Sequence, residues 1–147
     1  MTGDHSDDGR DFLPFPLQDL VPAELRDVIC DFLWDSDKLR RLALPVDAAT
    51  VDGLRWHLDL PYWRHDGKPF QVTPGQVKAD PGRYEEHYKR TMAADLGYPL
   101  DLVIRSHRWV ILDGVHRLLK ADLLGLSHVQ VRRVPAAMLP LILHEVT

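Results

Sequence analysis

The stretch WVILDGVHRLLKADLLG, residues 109 to 125, most narrows what this chain can fold into, because two incompatible periodicities meet inside it. Trp109, Val110, Ile111 and Leu112 are aromatic, β-branched or aliphatic, as a buried strand requires. Leu118, Leu119, Ala121, Leu123 and Leu124 recur at helical spacing, and Gly125 closes the run. The change falls at Asp113-Gly114, which leaves space only for a tight turn. A helix that starts directly after a glycine presents unpaired backbone N–H groups and the positive end of its dipole, so an anion can rest there.

A strand, a glycine turn and a helix occur in most α/β proteins, but Asp, His and Arg within five residues of one strand end contribute nothing to a core. The segment is therefore the candidate functional site. Gly114 allows the backbone to approach a phosphate closely. His116 and Arg117 add side-chain donors, the arginine as a planar two-pronged one. Lys120 stands one turn beyond His116 and faces either the same ligand or solvent. Asp113 has three readings: it holds a Mg²⁺ that bridges phosphates, it orients or deprotonates an acceptor hydroxyl, or it caps the helix that starts at Val115.

The same residues carry a resemblance. PLDLVIRSHRWVILDGVHRLLKADLLGLSHVQVRRVP resembles the strand-strand-helix-strand core of the ParB and sulfiredoxin superfamily, and VTPGQVKADPGRYEEHYKRT is similar to the strand and helix that precede it there. The likeness covers about residues 70 to 136. It implies an α+β fold, a small mixed sheet with helices, and a phosphate-binding turn formed by Gly114, Val115, His116 and Arg117. Sulfiredoxins carry a cysteine just before the His-Arg pair, where this chain has Val115, so their cysteine chemistry is not expected. Chromosome-partitioning ParB proteins have a GERR-like turn and a following helix-turn-helix domain, for which the chain leaves no room after the core. The turn is most similar to the DGHHR of the free-serine kinase branch. That likeness implies a nucleotide-dependent phosphotransferase acting on a small molecule, with ATP, ADP or CTP and Mg²⁺ as cofactors. It also implies a catalytic carboxylate early in the helix GRYEEHYKRT, either Glu85 or Glu86, and Arg90 within reach of phosphate. Glu85 with Lys89 is equally an ordinary exposed i,i+4 pair. Two alternatives are a nucleotide-gated, DNA-associated regulatory module and a reused fold with His116 as acid or base.

The rest of the chain sets the organisation. At 147 residues it makes one compact domain. Residues 1 to 11 are polar and read as a disordered tail; 12 to 69 read as an N-terminal helical extension; 70 to 147 form the ParB/sulfiredoxin-like core. Pro22 and the stripe Leu25, Val28, Ile29, Phe32 and Leu33 predict a first helix. A second covers Lys38 to Leu42, and a third Ala48 to Leu58 behind an Asp47 cap. Strands are expected at 70 to 73, 100 to 104, 109 to 112 and 129 to 134, with helices at 81 to 95 and at 136 to 146, the last kinked at Pro140. In WHLDLPYWRHDG, His57 and Asp59 give a weak metal signal, while His57 and Trp63 are candidates for a substrate-pocket wall.

Composition excludes some classes. A formal charge of −4 argues against nonspecific nucleic-acid binding; the small-molecule partner is what the resemblance implies, and the oligomeric state stays open. The single cysteine, Cys30, lies in an apolar context and reads as a buried thiol, with no partner for an internal disulfide. No run reaches a membrane-spanning length, and the acidic N-terminus lacks the marks of a signal peptide, so the expected location is cytoplasmic.

Overall fold

The structure is a computed structural model that describes residues 20–30 and 32–144. Strands β1 (Asp47–Thr50), β4 (Leu100–Arg105), β5 (Arg108–Asp113) and β6 (His128–Arg133) form one mixed sheet, whereas β2 (Trp63–His65) and β3 (Lys68–Val72) form a separate hairpin. The large sheet runs β1-β6-β4-β5, with β4 and β6 parallel and the outer pairs antiparallel. The fold is thus the mixed α+β type expected from the sequence.

Period-two alternation sends successive side chains to opposite faces of this sheet. Leu100, Leu102, Ile111, Val129 and Val131 join one apolar cluster with α2 (Val51–Leu54), α3 (Pro74–Ala79) and α5 (Val115–Leu123). Val103 and Val110 point the other way, into a second cluster built by the N-terminal segment, α1 (Ser36–Arg41) and the 3₁₀ helix Ala136–Ile142. Because both faces of β4 are covered, it reads as a near-continuous apolar run. The β4–β5 hairpin closes through Ser106 and His107, both at positive φ, as a two-residue turn matched to strand twist demands.

Four expected elements differ. The helix predicted from Pro22 is only a 3₁₀ turn, Ala23–Leu25. Beyond it the buried residues are Val28, Cys30 and Phe32, a period of two rather than 3.6, so this segment packs as irregular chain. The helix predicted over 48 to 58 is preceded by a strand. Thr50 caps α2 by accepting from Gly53 N, whereas Asp47 accepts from Ala48 N and pairs with Arg133, so residues 47 to 50 are free to join β6. Past α2 the chain tightens into the 3₁₀ helix Arg55–Asp59. The stretch 12 to 69 is therefore not uniformly helical: it supplies β1, β2 and the start of β3. The helix expected over 81 to 95 begins later, as α4 (Glu85–Ala93), and α3 ahead of it is an additional element opened by a Thr73–Gln76 capping box. The closing segment is 3₁₀ rather than α, with Pro140 inside it. The tail at 1 to 11 lies outside the described residues. Cys30 is buried, as expected.

Candidate functional site

β5 ends at Asp113 and α5 starts at Val115, so Gly114 alone makes the turn. It takes φ 122°, and a Cβ there would lie 2.8 Å from Leu100 Cγ and 3.2 Å from Leu100 Cα. Only glycine satisfies both the backbone and the space. No side chain caps α5, so its first N–H groups are left for a ligand or water. Asp113 does not serve as the cap.

A cavity of about 650 Å³ opens at this turn. Asp113, Gly114, Val115, His116 and Arg117 line one side; Arg40, Leu44 and Val46 from α1 and the loop after it line another; Trp63, Asp95, Tyr98, Asp101 and Arg132 are also in the wall. Three guanidiniums and three carboxylates, those of Asp95, Asp101 and Asp113, therefore face one space.

Two of the guanidiniums are committed to the protein. Arg132, buried, donates from Nε to Asp101 Oδ1 at 2.7 Å and from its two Nη atoms to the carbonyls of Leu42 and Leu39, both at 2.9 Å. It thereby ties the end of α1 to the sheet. Burial pushes the Asp101 carboxyl above the usual carboxylate range, against the pull of Arg132. Arg117 donates from Nη1 to the carbonyls of Pro99 (2.6 Å) and Tyr98 (3.3 Å) and from Nη2 to Asp113 Oδ2 (3.1 Å). It was expected to grip phosphate; three of its five donors instead fix the turn before β4 to the first turn of α5. Arg40 makes no hydrogen bond or ion pair among the described residues, and its guanidinium stands 6.0 Å from the Tyr98 ring.

His116 stacks on Trp63, with centroids 4.2 Å apart and planes 13° from parallel, and Trp63 also stacks with His87. Burial, with the charge of Arg90 adding to it, pushes the His116 pKa down to about 4, so the ring is neutral at pH 7. Its Nε2 is buried without a hydrogen-bond partner among the described residues. His116 is thus available as a neutral donor or acceptor, not as the cation that a phosphate clamp would use.

The other residues singled out from the sequence sit elsewhere. Glu85 and Glu86 are exposed and outside the cavity wall, and Glu85 pairs with Lys89 at 2.9 Å. Arg90 is exposed and outside that wall as well. Lys120 donates to the Ala94 carbonyl at 2.7 Å and so secures the C-terminus of α4. His57 is fully buried and does not line the cavity. Its Nδ1 lies 2.8 Å from the Leu54 carbonyl, which only accepts, so the proton sits on Nδ1 and Nε2 accepts from Ile111 N at 3.1 Å. His57 therefore satisfies the outer edge of β5, a structural duty. Burial pushes its pKa down to about 4. Trp63 lines the cavity; no group of three or more metal-ligating side chains is gathered among the described residues. Arg40, Tyr98, Asp95, Asp101 and Arg132 were not foreseen, since nothing local in the sequence announces that they converge.

No protein-family model, curated protein or solved structure matches this chain. Among the described residues, no helix is long and apolar enough to cross a membrane.

Proposed function

We propose that the cavity at the start of α5 binds the phosphate of a small-molecule ligand, and that the protein is a nucleotide-dependent, kinase-like phosphotransferase. The observation that carries this reading is Gly114: an uncapped nine-residue helix begins at a turn where the backbone is bare, and that turn opens on a space large enough for a nucleotide-sized ligand. The resemblance of residues 70 to 136 to the ParB and sulfiredoxin superfamily supports the same role for the DGVHR turn.

The wall carries as many carboxylates as guanidiniums, so a polyphosphate needs an added cation. Mg²⁺ fits this requirement, because it takes one or two protein carboxylates together with phosphate oxygens and water. Asp113 is the residue to hold it: Oδ2 accepts from Arg117, while the other oxygen is left for the metal. Glu85 and Glu86 lie outside the wall, so an acceptor hydroxyl would be met by one of the three carboxylates in it, Asp95, Asp101 or Asp113. Catalysis would then rest on positioning and charge neutralisation.

The test is calorimetry of the full chain against ATP, ADP and CTP, each with and without Mg²⁺. Saturable binding that requires Mg²⁺ and is lost in Asp113→Asn is expected. Absence of heat with every nucleotide eliminates the proposal. A second reading, acid–base chemistry on a small metabolite, draws on the unpartnered Nε2 of neutral His116. It requires a pH–rate profile that bends near pH 4 rather than near 6.5.

A further inference from the structure

We infer that Tyr98 and Arg40 form a stacking slot for a planar heteroaromatic ring carried by the same ligand whose phosphate meets Gly114. The inference rests on the phosphate reading and adds the part of the molecule that would confer preference.

Tyr98 is 60% exposed although it belongs to the cavity wall, so a large aromatic face is left open at the rim. An exposed rim aromatic can hold a ring by stacking, since every heteroaromatic base offers a π-face. The residue is not loose. Asp95 and Tyr98 are the ends of one turn, closed by Tyr98 N donating to the Asp95 carbonyl and by Gly97 N donating to Asp95 Oδ1. Arg117 then holds the Tyr98 and Pro99 carbonyls from the first turn of α5. The platform and the phosphate-binding turn are thereby fixed with respect to each other by a single side chain.

Arg40 supplies the opposite face. Elsewhere in the molecule an arginine in a closed contact with an aromatic ring, Arg108 over Trp56, sits at 3.9 Å. Arg40 stands over the Tyr98 ring at 6.0 Å from its centroid, the outer limit of such a contact. A ring stacked between two flat groups needs about 7 Å, twice an ordinary stacking distance of roughly 3.5 Å. The present distance of 6.0 Å is shorter than this, so Arg40 has to move aside to admit a ring; it is exposed on α1 with no ion pair among the described residues, so it can yield. Guanidinium planes stack on bases as readily as aromatic rings do.

The experiment titrates the full chain, in Mg²⁺, with ATP and separately with inorganic tripolyphosphate, which has the phosphates and no ring. In the wild type ATP binds about tenfold or more tightly than tripolyphosphate, the factor expected of one stacked base. Tyr98→Ala removes that advantage and leaves tripolyphosphate affinity unchanged, while Tyr98→Phe retains it. Arg40→Gln weakens ATP more than tripolyphosphate. Tripolyphosphate binding as tightly as ATP overturns the slot, as does a Tyr98→Ala protein with undiminished ATP affinity, or an Arg40→Gln protein that weakens both ligands equally. If neither compound binds, the phosphate reading at Gly114 falls and takes the slot with it, an outcome distinct from the slot failing alone.

Discussion

Single residues decide this site, and Gly114 more than any other. Adding one methyl group forces a side chain into φ 122° and against Leu100, whose backbone cannot withdraw from β4. Gly114→Ala should lower stability by about 3 kcal/mol, the sum of backbone strain and overpacking, seen as a fall in the urea midpoint at unchanged slope. That glycine was legible because a strand pattern stops on it and a helix pattern starts after it. His57 was misread for a physical reason: a histidine among tryptophans looks alike in a pocket wall and in a strand-edge bond, and only its contacts with Leu54 and Ile111 separate the two. Arg117 was legible as important but not in its task, since the carbonyls it binds come from a turn in another part of the chain.

At the scale of elements, α5 is the one on which the others converge. Asp122, with its side chain 7% exposed, accepts from Lys78 Nζ at 2.8 Å and from Arg55 Nε at 3.1 Å, joining α3 and the 3₁₀ helix after α2 to α5. Burial alone would raise its pKa, but the bonds from Lys78 and Arg55 prevail and hold its carboxyl below the usual range. Asp122→Ala leaves Lys78 to water and Arg55 to Asp52, both cations being half exposed, and should cost about 1 kcal/mol, read as a lower Tm. Elements with a strong internal period, β4, β5 and α5, were readable in advance. β1 was not: DAAT carries no strand signature, and its state is set by pairing with β6 and by the Thr50 cap that starts α2 just beyond it. The helix expected after Pro22 failed for the complementary reason, as its apolar stripe gives way to alternate burial at Val28, Cys30 and Phe32.

For the molecule as a whole, acid is the predicted weakness. His57 and His116 both titrate near 4 when folded and near 6.5 when unfolded, so between those values the unfolded chain binds more protons. Stability is complete above pH 6.5 and falls as the pH drops toward 4; for fully buried His57 the loss is on the order of 3 kcal/mol. Asp122 adds a second loss as the pH falls from the ordinary carboxylate range through its lowered folded value. Urea midpoints collected from pH 7.5 to 4 should therefore decline, and a flat profile would contradict the neutral buried state assigned to both imidazoles. The sheet order carries one more consequence. Asp47 pairs with Val131, about 80 positions further along, so the outermost strand has nothing to zip onto during synthesis until nearly the entire core has left the ribosome. Completion of the sheet should be the slow, late event of folding, and the short segment DAAT the last to acquire protection from hydrogen exchange.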